Sequence, residues 1–82
     1  MYFTYVLQSE KDHQLYVGYT KNLKERIVFH NQGKVRATAE RRPLTLIYYE
    51  ACLNEVDAVK REKYLKTGYG RRYLKSRLTN HL

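Results

Sequence analysis

Five side chains in this sequence could act together on one reaction: the phenols of Tyr5 and Tyr16, the guanidinium of Arg26, the imidazole of His30 and the carboxylate of Glu62. A free phenol has a pKa of about 10, so it takes a proton or positions water only where neighbouring cations stabilise the phenolate. Gly18, next to tyrosines in Tyr16-Val17-Gly18-Tyr19, costs packing in a strand and suits a place where another backbone or a ligand comes close. The alternative is a glycine at a strand bend flanked by two core tyrosines. Arg26 and His30 stand four apart on the helical face that also carries Leu23 and Ile27. A guanidinium there can grip an anionic oxygen in bidentate fashion, and an imidazole can donate to an oxygen or relay a proton near neutral pH. Equally, the arginine can snorkel at an edge and the histidine can be a satisfied core residue. Glu62 falls in mid-helix beside Ala58, Val59 and Leu65. A single carboxylate can hold a hard divalent ion such as Mg²⁺ when water and phosphate oxygens complete the shell. Otherwise it pairs with Lys66 four residues on, for about 0.3 to 0.5 kcal/mol.

Charge narrows the partner. Sixteen Lys and Arg against eight Asp and Glu give +8 over 82 residues, which favours a polyanion through phosphate contact and counterion release. A merely soluble basic domain would carry the same charge. Hydrophobic residues at 43% and aromatics at 13% place the chain outside the disordered class, and its length suits one domain with one modest core. Cys52 is alone, which removes a disulfide framework or thiolate zinc site within the chain and fits a reducing compartment; it reads as a small buried hydrophobe. No run approaches the 18 or so apolar residues of a membrane span, so the expected location is cytoplasmic.

The elements that must position these groups are readable in outline. Tyr2 to Gln8 and Leu15 to Tyr19 are β-branched and aromatic runs split by the polar stretch Ser9 to His13, a hairpin pattern. Asn22 with Glu25 three residues later caps a first helix from Leu23 to His30, ended near Asn31 and Gly33. Lys34 to Arg42 reads as an exposed basic loop, since it has no period and Pro43 stops a helix from crossing it. Leu44 to Tyr49 suits a central third strand. Asn54 caps a second helix from Glu55 to Thr67 stopped by Gly68, and a short third helix runs from Arg71 to Leu78. The order β-β-α-β-α-α predicts an α+β domain with a three-stranded mixed or antiparallel sheet flanked by helices.

Read in order, these residues resemble the GIY-YIG nuclease superfamily, especially its small stand-alone bacterial members related to the nuclease domain of the excision-repair subunit UvrC. Tyr5 stands for the tyrosine of the first motif and Tyr16-Val17-Gly18 for the second. Arg26 and His30 match the first-helix arginine and the histidine after it, and Glu62, in Arg61-Glu62, matches the metal-binding glutamate. His30-Asn31-Gln32-Gly33-Lys34, Arg42-Pro43-Leu44 and Gly70-Arg71 also resemble the small bacterial members, so the likeness covers nearly the whole chain. Two departures stand out. Phe3-Thr4-Tyr5 keeps only the tyrosine of Gly-Ile-Tyr, and the asparagine some family nucleases use after the metal glutamate has no counterpart nearer than Asn80.

The resemblance implies a nuclease-like domain over residues 1–82 that hydrolyses DNA phosphodiester bonds, structure-directed or weakly specific, in DNA repair or processing. It implies one Mg²⁺ or Mn²⁺ on Glu62, Tyr16 as base or water-positioner assisted by Tyr5, His30 as proton relay, and Arg26 against the phosphate. Nucleic-acid contacts would come from Lys34, Arg36, Arg41, Arg42, Lys66, Arg71 and Arg72, with DNA expected before RNA and a monomer or weak dimer as the working unit. The competing expectation is a non-catalytic basic module with the same fold, stacking bases on tyrosine at about 1 to 3 kcal/mol each. A ribosomal or RNA-associated adaptor would share the charge but give Glu62 no role.

Overall fold

Tyr2–Ser9 (β1) and Leu15–Thr20 (β2) form an antiparallel hairpin, and Leu44–Cys52 (β3) pairs antiparallel with the other edge of β1. The sheet order is therefore β2-β1-β3, wholly antiparallel. This computed structural model describes residues 1–82, adding helices α1 (Leu23–Asn31), α2 (Glu55–Leu65) and α3 (Gly68–Arg77) and a single 3₁₀ turn at Ala39–Arg41. Element order and class agree with the sequence expectation.

The central strand is β1, not the third strand. Thr4, Tyr5, Val6 and Leu7 are buried in succession, whereas β3 runs along an edge with Tyr49 half exposed. Four consecutive buried residues mean that both sides of β1 are covered, because successive side chains point to opposite faces. On one side Tyr5 meets His30 of α1. On the other, Val6 and Val17 pack with Leu65 of α2 and Leu74 of α3, and the Thr4 hydroxyl, buried with them, donates to the Ala58 carbonyl of α2 at 3.0 Å. The sheet thus lies between α1 and the α2–α3 pair.

Caps set the helix ends. The Asn22 carboxamide accepts from the Glu25 amide at 3.1 Å. At the other end of α1, Gly33 (φ 78°) lets its amide reach the His30 carbonyl and the Lys34 amide reach that of Phe29, both at 3.1 Å, the paired bonds of a Schellman stop. Asn54 caps α2 through the Val56 amide at 2.8 Å. Gly68 does not stop α2 but opens α3, because the Thr67 hydroxyl accepts from the Gly70 amide at 3.2 Å and starts a new helix there.

A polar network ties β3 to the α2–α3 layer. Arg61 donates to both oxygens of Glu50 at 2.8 and 3.0 Å, Tyr48 donates to the same carboxylate at 2.7 Å, and the Tyr48 and Tyr73 hydroxyls lie 2.9 Å apart. Burial and the adjoining carboxylate hold the Tyr48 phenol far above its ordinary range, so it remains a donor. Cys52 is half buried at the end of β3, its thiol on the Asn54 carbonyl at 3.3 Å, and not in the core. The 34–42 loop is not simply an exposed segment: Thr38 within it is fully buried. No helix is long and apolar enough to cross a membrane.

Candidate active site

Tyr5 is the hub. Pairing places Tyr5 opposite Gly18 and Leu7 opposite Tyr16, so Tyr5 and Tyr16 are diagonal neighbours on one face of the sheet. Their ring centroids lie 6.4 Å apart, and the His30 ring packs edge-on at 5.6 Å from Tyr5 and 5.0 Å from Tyr16. The Tyr5 hydroxyl is 2.8 Å from His30 Nε2.

Gly18 makes this possible. A Cβ at that position would stand 2.5 Å from the Tyr5 hydroxyl oxygen and 2.7 Å from Cζ, closer than any side chain tolerates. The close approach anticipated for this glycine is thus to a phenol. The tyrosine at its side is also a core residue, since Tyr5 is 1% exposed.

Charges from α1 and from one further helix, α2, act on the same hydroxyl. Burial pushes the Tyr5 phenol above its ordinary value, the Arg26 guanidinium bears on the hydroxyl and holds it down, and Tyr16 and Glu62 add smaller upward pushes. Glu62 is carried by α2, on the far side of the sheet from α1, yet its side chain is only 17% exposed. The two sides meet at the free edge of β2. There a cleft of about 250 Å³ is lined by Tyr16 and Val17, which point to opposite faces, together with Lys66 and Arg71 over Leu65 and Leu74. The ion pair with Lys66 at 3.0 Å exists, so Glu62 has the helical partner expected of a surface residue while lying against the site.

His30 is fully buried. Burial and the nearby Arg26 charge lower its pKa from 6.5 to about 4, so the ring is neutral at physiological pH. A neutral imidazole links hydroxyls as donor at one nitrogen and acceptor at the other. Between these two values the unfolded chain binds a proton that the folded one does not, so stability rises with pH through that window. Thermal midpoints should therefore fall as pH drops from 7 toward 4, and less so in His30→Gln, whose side chain cannot titrate. Parallel curves for the two proteins would contradict the buried neutral ring.

The basic residues divide. Lys66 and Arg71 line the cleft beside Tyr16. Lys34 and Arg36 are exposed on the loop behind His30, with Lys34 over the Phe29 ring at 5.0 Å. Arg72 stacks on the exposed Tyr69 at 4.8 Å. Arg41 and Arg42 are partly committed to the fold, the first paired with Asp12 at 3.3 Å, the second donating to the Ala39 carbonyl at 2.7 Å.

One neighbour of the site escaped sequence reasoning. Thr38 Oγ1 lies 2.7 Å from His30 Nδ1, behind the ring and 0% exposed. The only sequence hint is Ala37-Thr38-Ala39, a small uncharged island in a basic loop.

The donor set available to a metal is narrow. No cluster of three or more His, Cys, Asp or Glu residues occurs, and the one carboxylate that bears on the Tyr5 hydroxyl is Glu62, an oxygen donor. That suits a hard oxygen-seeking ion which keeps several waters.

Known proteins bear on this arrangement. The sequence matches the GIY-YIG catalytic domain over residues 1–75. It is 40% identical over 67 residues to the UPF0213 protein SH2523 of Staphylococcus haemolyticus, covering 80% of each chain. It is 43% identical over 68 residues to a UPF0213 protein encoded in the ldhD 5′ region of Pediococcus acidilactici, covering 79% of this chain and 68% of that one. The solution NMR structure of the UPF0213 protein BH0048 from Bacillus halodurans superposes with a TM-score of 0.58 at 28% identity, over 95% of this chain and 86% of that one. Catalytic-domain sequence, relatives and fold agree, and the chain belongs to the GIY-YIG family.

Proposed function

We propose that residues 1–82 act as a metal-dependent endonuclease that hydrolyses phosphodiester bonds, with DNA as the first substrate to test. The observation that carries this reading is the Tyr5 hydroxyl, which bonds to His30, packs near Tyr16 and feels both Arg26 and Glu62. A nucleic-acid backbone is the ligand that fits a net charge of +8 and a cleft flanked by Lys66 and Arg71.

Glu62 would hold a Mg²⁺ or Mn²⁺, which when bound polarises a non-bridging phosphate oxygen and stabilises charge on the leaving oxygen. Arg26 grips the phosphate, an interaction that accelerates the reaction to the extent that it strengthens in the transition state. Tyr16 is half buried and its hydroxyl makes no hydrogen bond within the protein, so its phenol is free to orient the attacking water. Tyr5 and His30 relay the proton on the closed side of the site. The exposed cations of the 34–42 loop and of α3 orient the backbone without reading sequence, consistent with structure-directed or weakly specific cutting in DNA repair or processing. The charge disfavours self-association beyond a weak dimer, and a lone thiol fits a reducing, cytoplasmic setting.

The test is nicking of supercoiled plasmid and of labelled branched DNA with Mg²⁺, with Mn²⁺ and with chelator. Cutting that needs the ion is expected. Tight binding with no cutting in either metal would make the protein a basic binding module instead.

A further inference from the structure

Thr38 extends the Tyr5–His30 pair into a line of three, and no part of the proposed reaction uses Thr38. Tyr5 Oη lies 2.8 Å from His30 Nε2, His30 Nδ1 lies 2.7 Å from Thr38 Oγ1, and Thr38 Oγ1 lies 3.4 Å from the Val35 carbonyl. All three side chains are at most 1% exposed, so no bulk water can replace a missing partner, and the hydrogens must be shared among these atoms.

The two ends admit one direction each. A guanidinium only donates, so at the Tyr5 end Arg26, whose charge bears on the hydroxyl, can offer the phenol oxygen hydrogens but never take its own. A carbonyl only accepts, so at the far end the Val35 carbonyl, which also takes the Thr38 amide at 3.1 Å, gives the Thr38 hydroxyl hydrogen an acceptor at 3.4 Å. Between them the Thr38 oxygen takes the hydrogen of His30 Nδ1, which leaves Nε2 a bare lone pair facing Tyr5. In the reverse order the His30 Nε2 hydrogen and Arg26 would both point at the phenol oxygen. Tyr5's own hydrogen would then have no acceptor, since His30 Nε2 is the one acceptor the protein offers that hydroxyl.

We propose that Thr38 is a positioning residue that fixes His30 as the tautomer with its hydrogen on Nδ1, so that Nε2 accepts the Tyr5 hydroxyl. The Tyr5 hydrogen is thereby held on the closed side of the site, and the oxygen's lone pairs turn toward Arg26. In the hydrolysis, water gives its proton to the Tyr5 oxygen as its O–P bond forms and Tyr5 passes its own proton to Nε2; the P–O bond to the leaving oxygen breaks as that oxygen takes a proton from solvent, and His30 then returns its proton through Tyr5 to solvent, restoring the resting pair. Thr38 touches neither substrate nor reacting atom. It keeps the lone pair on the nitrogen that faces the phenol.

The catalytic consequence rests on the nuclease reading, whereas the tautomer does not, and the test separates them. In ¹⁵N-histidine-labelled protein, with His13→Gln and His81→Gln assigning the third ring, long-range ¹H–¹⁵N spectra at pH 7 should show His30 Nδ1 as pyrrole-type and Nε2 as pyridine-type. Thr38→Val, which keeps shape but removes the acceptor, should mix the two forms, and Thr38→Ser should restore the wild-type pattern. In the nicking assay Thr38→Val should lower kcat about tenfold with KM unchanged, and Thr38→Ser should recover it. A wild-type ring protonated at Nε2 overturns the proposal even if the valine variant fails to fold. So does a valine variant with an unchanged tautomer. If the protein cuts nothing, the ring signals still decide the role of Thr38, and the nuclease reading alone falls.

Discussion

Glu62→Ala lowers metal-dependent nicking by about a thousandfold, equivalent to roughly 4 kcal/mol of lost transition-state stabilisation, while DNA affinity stays within about threefold. The size of the effect follows from the donor set. No cluster of acidic and imidazole ligands exists to compensate, so losing this carboxylate removes the protein's hold on the ion. Unfolding does not explain such a loss, because the Lys66 pair that disappears with Glu62 is an i,i+4 contact to a half-exposed lysine, worth only a few tenths of a kcal/mol. Removing a negative charge beside Lys66 and Arg71 also leaves more positive charge in the cleft, which supports DNA binding. Rates across Mg²⁺ and Mn²⁺ titrations, together with a gel-shift measurement in chelator, check both halves. Undiminished nicking by a folded variant would remove Glu62 from the mechanism.

Gly18→Ala costs about a hundredfold in nicking and roughly 1 to 3 kcal/mol in stability, because a methyl group is forced into the Tyr5 phenol. The ring cannot swing aside, since Tyr5 is 1% exposed on the central strand and its hydroxyl is held by His30. Either the phenol or β2 must shift by an amount comparable to the 1 Å that disables a positioned group. The added Cβ would lie nearest the hydroxyl oxygen at 2.5 Å, so deleting that oxygen should relieve the fold but not the chemistry. Tyr5→Phe/Gly18→Ala is therefore expected to be more stable in urea than Gly18→Ala alone and equally inactive, a coupling readable in a double-mutant cycle. Wild-type activity in the single alanine variant would mean that the phenol has no role.

The strand and helix order was legible because its signals are local: Asn22 and Asn54 before apolar-periodic segments, and alternating aromatic runs around a polar hairpin turn. The rank of the strands was not. Leu44 to Tyr49 looks more apolar than Tyr2 to Ser9, yet β1 occupies the centre, and the buried Thr4 hydroxyl within it finds its partner only in Ala58, 54 residues away. The residue types of the candidate site were legible, and the structure brings Tyr5, Tyr16 and His30 into contact, with Arg26 and Glu62 close enough to act on Tyr5. The burial of Glu62 was not legible, since mid-helix spacing gives its face but not what covers it. Thr38 was hidden for the same reason: its partner lies eight residues away across the turn that ends α1.

Because α1 and α2 approach the β2 edge from opposite sides, neither half of the chain holds a working fragment of the site. A backbone laid in the cleft bridges the sheet and the α2–α3 layer and fastens them as a rivet would, so part of the energy of gripping it goes into tightening the protein. The outer strand, with only the hairpin to restrain one of its edges, is where that tightening is felt, and amide protection along Leu15–Thr20 becomes a natural gauge of occupancy.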